Sequence, residues 1–280
     1  MIKLIAADLD GTLLNAKRDL SPETIRVIGK IREKGIRVVL ATGRTYAAVR
    51  KIYSELNLDS PVITNNGGLI FDPPTDTVLD GSPIAPELMR RVLNWLDERN
   101  IYNQFYTKDT VYTRHLDFLS REWAVKNAKL PLEQQVRIIE IKDGPLPKEL
   151  DHEPFYKMLA MSRSKDVLDE LQVFINTIPE LETTISIENG LDILGAGISK
   201  GYGLTHLAEF LKLDPSEIMA FGDQENDIEM LRYAGVGVAM ENAPDHVKVH
   251  ADWVAPLHHE DGLARFLSDY FGLDEGALDR

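Results

Sequence analysis

The chain has 280 residues, 44% apolar and 27% charged, and no cysteine; this is the make-up of a folded protein with a substantial core, and it excludes disulfides, thiolate metal ligands and cysteine nucleophiles. The 31 basic and 45 acidic residues leave a net charge of -14, which disfavours nucleic acid backbones and anionic membrane surfaces as partners. A small phosphorylated ligand would be repelled too, unless a local cluster of cations and amide donors outweighs the global field.

The apolar run from Ile2 to Ala7 reads as a buried strand, too short for a signal sequence, and no later run approaches the roughly 20 apolar residues of a membrane span. A soluble cytoplasmic protein is the expectation. Asp8 and Asp10 follow this strand; if it continues through them, both carboxylates lie on one face, where one hard cation could engage both. Ser21-Pro22-Glu23 reads as a helix start, with Ile25, Ile28 and Ile31 at helical spacing up to Gly35. Arg37 to Ala41 is a further strand, Tyr46 to Leu56 a helix and Val62 to Thr64 a strand, giving a βαβ pattern. Val38-Val39-Leu40-Ala41 is continuously apolar, as expected of a parallel strand covered on both faces.

From residue 83 the character changes. A helix from Glu87 to Arg99 precedes polar, aromatic strands at Tyr102 to Tyr106 and Val111 to Thr113, whose partial alternation predicts a sheet with one exposed face. Lys165 to Ile175 reads as a helix and Thr183 to Glu188 as a strand. The first style then returns, with a helix around Leu204, Leu207, Ala208 and Leu211 and strands at Ile218 to Phe221, Gly235 to Ala239 and Trp253 to Val254. Turn formers at Asp80-Gly81-Ser82-Pro83 and Glu188-Asn189-Gly190 mark the joins. The expected organisation is α/β: a Rossmann-like core of mostly parallel sheet from residues 1–82 and 190–280, carrying an inserted α+β cap from residues 83–189.

Four clusters fall just after core strands, where open parallel sheets place their binding crevice. Asp8-Leu9-Asp10-Gly11-Thr12 pairs two carboxylates, and Ala41-Thr42-Gly43-Arg44 offers a hydroxyl and a glycine amide able to cradle a phosphoryl oxygen. In Gly197-Ile198-Ser199-Lys200-Gly201, Lys200 falls in the first turn of a helix, where its charge opposes the helix dipole at a cost of a few tenths to about 1 kcal/mol. Such a misplaced cation invites a functional explanation, and lysine with helix amides forms an anion site. Gly222-Asp223-Gln224-Glu225-Asn226-Asp227 supplies carboxylates for an oxygen-rich magnesium site. Each cluster alone also has an ordinary reading as a turn, a helix cap or solvated acids, and Arg44 reads equally as a surface ion pair. Tyr106, Tyr112, Trp123 and Tyr156 read as core aromatics, and His246 and His250 lack the third ligand that zinc requires.

Taken together and in this order, DLDGTLL, LATGR, GISKG and AFGDQENDIEML resemble the motifs of the haloacid dehalogenase-like superfamily, specifically its Cof-type sugar-phosphate phosphatases of subfamily IIB with a large inserted C2-type cap. AGVGVAMENAP and EDGLARFL extend the likeness to the C-terminal part, and VITNNGGLI resembles the family's strand, Asn-Gly, strand element while also reading as a type I′ hairpin.

The resemblance implies a magnesium-dependent phosphatase in which Asp8 attacks phosphorus to form an aspartyl-phosphate and Asp10 serves as acid and base. It implies magnesium held by Asp8, the Asp10 carbonyl and Asp223. Leu9 and Gly43, through their amides, with Thr42, Lys200 and Asn226 would bind the phosphoryl oxygens, and Asp227 would orient a metal-bound water or Lys200. The expected partner is a small phosphorylated metabolite, in particular a sugar phosphate; a monomer and a dimer are both compatible with the sequence. A phosphotransferase passing the phosphoryl group to a second sugar, and a non-catalytic binder of phosphorylated metabolites, are the competing readings.

Overall fold

The computed structural model describes residues 1–142 and 146–273. Its central sheet has five strands in the order Trp253–Ala255, Val236–Met240, Ile218–Gly222, Leu4–Ala7 and Arg37–Leu40, all parallel. Leu4–Ala7 sits within the sheet with every residue buried, because helices cover both faces. Ile5 and Ala7 pack with Val27, Ile28 and Ile31 on one side, while Leu4 and Ala6 pack with Leu204 and Leu207 on the other. The first helix, Pro22–Glu33, starts as its sequence dictates: Ser21 accepts from the Thr24 amide at 2.9 Å and proline occupies the first turn.

Since all five strands run the same way, their carboxyl ends share one edge. Asp8, Thr42, Asp223 and Asn242 follow four of these strands there. A small antiparallel sheet of Val62–Thr64, Leu69–Asp72 and Thr77–Gly81 flanks this edge, linked to it by a parallel bridge from Ala41 to Ile63.

The inserted unit contains a second sheet of six strands, ordered Leu181–Thr184, Gly190–Gly195, Lys157–Met161, Tyr102–Tyr106, Thr110–Thr113 and Arg137–Glu140, antiparallel except for the last pair. Three expectations change here. Gly190–Gly195, assigned from sequence to the core segment, pairs with Lys157–Met161 inside this second sheet. The strand expected at Thr183 to Glu188 lies instead at Leu181–Thr184. Finally, Tyr102–Tyr106 and Thr110–Thr113 are buried throughout. Phe105 and Tyr112 pack beneath the helix Pro86–Asp97, while Tyr106 and Val111 face the cavity at the core edge. The polar side chains of these strands are satisfied internally rather than by water: Gln104 donates to the Tyr102 hydroxyl at 2.6 Å and accepts from Tyr106.

Candidate active site

The strand Leu4–Ala7 ends before Asp8, and the chain turns through a tight coil at Leu9–Leu13 in which Asp10 is non-helical and Gly11 has φ +84°. The two aspartates therefore do not share a strand face. Asp8 Oδ1 accepts from the Lys200 ammonium at 2.6 Å. The Asp10 carboxylate turns to Arg44 instead, whose Nε lies 2.7 Å from Oδ2 and whose terminal nitrogen lies 2.5 Å from Oδ1. The shared-cation geometry expected for the two side chains is thus replaced by two separate ion pairs, and Arg44 is resolved as an ion-pair partner inside the site.

Lys200 opens the helix Lys200–Leu211, whose cap Ser199 accepts from the Tyr202 amide at 3.0 Å. Its side chain is 1% exposed and bridges Asp8 to Asp227, the second contact being 2.7 Å. Two buried carboxylates repay the desolvation of the ammonium and hold it protonated, its pKa raised above the usual lysine range. Asp227 directs its other oxygen back to the amides of Asp223 and Gln224, at 2.9 and 3.0 Å. Both of its oxygens are thus committed to positioning neighbours.

Asp223 accepts from the Thr12 hydroxyl and from the Asn242 amide, each at 3.1 Å, and Asn242 also donates to the Gly11 carbonyl at 2.9 Å. Carboxylate oxygens of Asp8, Asp223 and Asp227 lie within 4.8 Å of one another, and all three residues are buried. Burial first, then the charge of Asp227, pushes the Asp223 carboxyl up to about 7 against the pull of Lys200. Burial also raises Asp8 well above the usual range; Lys200 opposes this, while Asp227 and Asp223 add to it. Carboxylates so crowded and so reluctant to ionise fit a site for a hard dication. Asp10 moves the other way: burial would raise it, but the charge and hydrogen bonds of Arg44, with Arg18 behind, bring it below the ordinary value.

A cavity of ≈130 Å³ joins these groups, with Asp8, Thr42, Gly43, Lys200 and Asn226 on its core side. The Gly43 amide donates to none of the described acceptors, and the Thr42 hydroxyl accepts from the Arg44 amide at 3.2 Å. Asn226 instead donates to Asn66 Oδ1 at 3.0 Å, and its own carbonyl oxygen is buried without a partner. The inserted unit closes the other side with Tyr106, Trp123, Lys157, Leu159 and Ile187. Tyr106 and Trp123, read from sequence as core, therefore belong to the cavity wall; Tyr112 and Tyr156 are core.

Asn66 escaped the sequence reading. The Val62–Thr64 and Leu69–Asp72 strands do form a hairpin, but Thr64 pairs with Leu69 across four residues rather than a two-residue turn. Asn65, Asn66 and Gly67 all take positive φ there, which carries the Asn66 amide into the site. The run Asn-Asn-Gly, residue types that readily take positive φ, was the available signal. His246 and His250 meet different partners, Glu225 at 3.3 Å and Arg232 at 3.0 Å. Among the described residues no helix is long and apolar enough to cross a membrane.

The arrangement has close relatives. Pyridoxal phosphate phosphatase YbhA of Escherichia coli is 33% identical over 271 residues, 95% of this chain and 97% of that protein. The 5-amino-6-(5-phospho-D-ribitylamino)uracil phosphatase YcsE of Bacillus subtilis is 31% identical over 94% of each. A solved haloacid dehalogenase-like hydrolase from B. subtilis superimposes with a TM-score of 0.83 at 30% identity, covering 95% of this chain and 99% of that one. The family model described as haloacid dehalogenase-like hydrolase matches residues 5–267. Three of the four clusters follow core strands as expected, while the Lys200 cluster follows Gly190–Gly195 of the second sheet and reaches the site as the start of its helix. On the family match, the chain belongs to the haloacid dehalogenase-like hydrolases.

Proposed function

We propose that the protein is a magnesium-dependent phosphatase of small phosphorylated metabolites acting through an aspartyl-phosphate. The observation that carries this reading is the convergence of Asp8, Lys200 and the free Gly43 amide on one cavity, with the Asp223 carboxylate beside Asp8. A phosphomonoester seated there would place its phosphoryl oxygens against Lys200, Thr42 and the amides of Leu9 and Gly43, leaving Asp8 to approach from the core side. An Asp8 oxygen bonds to phosphorus as the ester oxygen departs with the bonding pair and takes a proton from Asp10; water, losing a proton to Asp10, then bonds to phosphorus as the bond from phosphorus to Asp8 breaks, restoring the carboxylate and releasing inorganic phosphate.

Arg44 keeps Asp10 ionised in the present arrangement, which suits it to accept a proton from water. Its donor form requires the carboxyl to leave the guanidinium. Asp8 and Asp223, with the backbone carbonyl of Asp10, are the groups that would hold magnesium, and Asp227 would steady Lys200 and the Asp223 loop. Bound there, the ion would neutralise the carboxylate cluster and draw charge from the phosphoryl oxygens.

The sequence reading favours sugar phosphates. The cavity beyond the phosphoryl position is lined by Ala48, Val111, Leu119, Trp123, Leu159 and Ile187, which favours a leaving group with at least one apolar face; a ring phosphate such as pyridoxal 5′-phosphate, the substrate in the name of the E. coli relative, meets that description alongside the sugars. Phosphate release from p-nitrophenyl phosphate with magnesium tests the reaction, and a panel of sugar monophosphates with pyridoxal 5′-phosphate ranks the leaving groups. Isomeric sugar phosphate formed without phosphate release would replace the hydrolase by the phosphotransferase. Equal turnover by Asp8→Asn would remove Asp8 as nucleophile.

A further inference from the structure

Lys157 lies in the inserted unit, on the strand Lys157–Met161, and is 4% exposed. A lysine is rarely buried this deeply without a compensating partner. Its ammonium stands 2.9 Å from Asp192 Oδ1, and Asp192 is itself completely buried. Yet that same oxygen takes no aligned hydrogen bond. The ammonium is close enough to pair with Asp192, but the angle of its approach is not that of a hydrogen bond.

What it faces is the phosphoryl cradle. A side-chain carbon added to Gly43 would lie 2.8 Å from Asn66 Oδ1 and 3.4 Å from Lys157 Nζ. The lysine therefore lies beside the residue whose amide is free, on the side a Cβ would occupy, and it borders the cavity lined by Asp8, Thr42 and Lys200. The Tyr106 ring, 4.8 Å from the ammonium, steadies it from the side. Asp192 reaches the core as well. Its Oδ2 accepts from Asn66 at 2.8 Å and from Ser186, and Asn66 accepts from Asn226 at 3.0 Å. A continuous chain of buried polar groups thus links Lys157 to the core residues of the site.

We propose that Lys157 contacts substrate: its ammonium donates to a non-bridging phosphoryl oxygen held over Gly43, and Asp192 is the positioning residue that presents it. The inference rests on the phosphatase reading and adds to it a second cation supplied from the inserted unit, so that phosphate itself helps hold that unit on the core.

The test is inhibition by inorganic phosphate, measured alongside p-nitrophenyl phosphate turnover in the full-length protein. Lys157→Met is expected to raise the inhibition constant for phosphate and the KM by about tenfold or more, the weight of a charge-assisted hydrogen bond, with a smaller change in kcat. Because this variant leaves Asp192 buried without its cation, the double variant Lys157→Met with Asp192→Leu removes both charges and is expected to show the same loss of phosphate inhibition. Lys157→Arg should restore part of it. An inhibition constant within about twofold of wild type in the folded double variant overturns the proposal and leaves Lys157 a structural ion pair. If wild type neither turns over the ester nor is inhibited by phosphate, the phosphatase reading itself has failed; turnover that Asp8→Asn abolishes secures that reading independently of Lys157.

Discussion

Gly11 offers the sharpest test of how the site is built. It follows Asp10 at φ +84°, and a side-chain carbon placed there would lie 2.3 Å from Asp223 Oδ2, 2.8 Å from its Cγ and 2.9 Å from Oδ1. Carbon and oxygen approach comfortably at about 3.3 Å, so Gly11→Ala demands a separation of about 1 Å between the Asp10-Gly11 turn and the Asp223 carboxylate. Asp223 has little freedom to yield, because its two oxygens are held at 3.1 Å by Thr12 and by Asn242. Moving it that far breaks both contacts, each worth about 1 kcal/mol, and the left-handed backbone costs a further 1 to 2 kcal/mol or so in any residue with a Cβ.

The sum is a loss of about 3 to 4 kcal/mol in stability, read as a lower urea midpoint at unchanged slope. Activity should suffer more than stability. Displacing a reacting or metal-holding group by about 1 Å costs on the order of a hundredfold in rate, and magnesium titration of the variant should give a markedly weaker activation constant. A variant with wild-type urea midpoint and magnesium requirement would refute the reasoning, because it would mean that the turn and Asp223 are not in the close contact described.

Three further outcomes are expected. Lys200→Met leaves Asp8 and Asp227 facing each other without their shared cation, so chemical denaturation should show a loss of about 3 to 5 kcal/mol in metal-free buffer, partly recovered by magnesium. Asp223 titrates in the folded protein near 7, above its unfolded value; the stability tied to its proton is complete below the unfolded pKa and is lost as pH rises through the folded one. The metal-free protein should weaken across that interval, and the rise in Tm caused by magnesium should be larger at about pH 8 than at about pH 5.5. Arg44→Ala removes the charge that holds Asp10 low against its burial, so the alkaline limb of the kcat/KM profile, set by the protonated Asp10 that serves the departing ester oxygen, should move to higher pH; an unmoved limb would exclude Asp10 as the group that titrates there.

The parts of the site read from sequence are those in which one short segment carries both the structural and the chemical signal. Val38-Val39-Leu40-Ala41 announces a strand covered on both faces, and Thr42-Gly43 follows it directly. Lys200 stands out because a cation in a first helical turn opposes the helix dipole. Lys157 gives no such signal. It begins the apolar run Lys157-Met158-Leu159-Ala160-Met161, and its partner Asp192 lies on a different strand, while the Asn66 that completes the chain is 126 residues from Asp192. Contacts made across the join of two units have no local periodicity to reveal them. The same cause explains Tyr102–Tyr106: its alternation is real, but the face expected to meet water meets the core edge instead, so polar residues are paired with each other and Tyr106 becomes a wall of the cavity.

The net charge of -14 required a local answer, and the cavity supplies one in an unexpected form. Arg18, Arg44, Lys157 and Lys200 all border it, but each is already opposite a carboxylate: Asp10 for both arginines, Asp192 for Lys157, and the pair Asp8 and Asp227 for Lys200. The site is therefore not a basic patch waiting for an anion. It is a balanced set of ion pairs whose acidic members include the groups suited to a dication, so a phosphate dianion and a dication together add no net charge to a buried volume. A phosphate entering alone would face Asp8 directly with Asp223 close behind it, and a dication entering alone would face Lys200. The arithmetic favours their joint binding, so inorganic phosphate and magnesium should each tighten the other's binding to the wild-type protein. By linkage the two enhancement factors must be equal, a reciprocity that titration of either component at fixed levels of the other measures directly. Equal affinity for phosphate with and without magnesium would show that the ion pairs, not the dication, provide the local field.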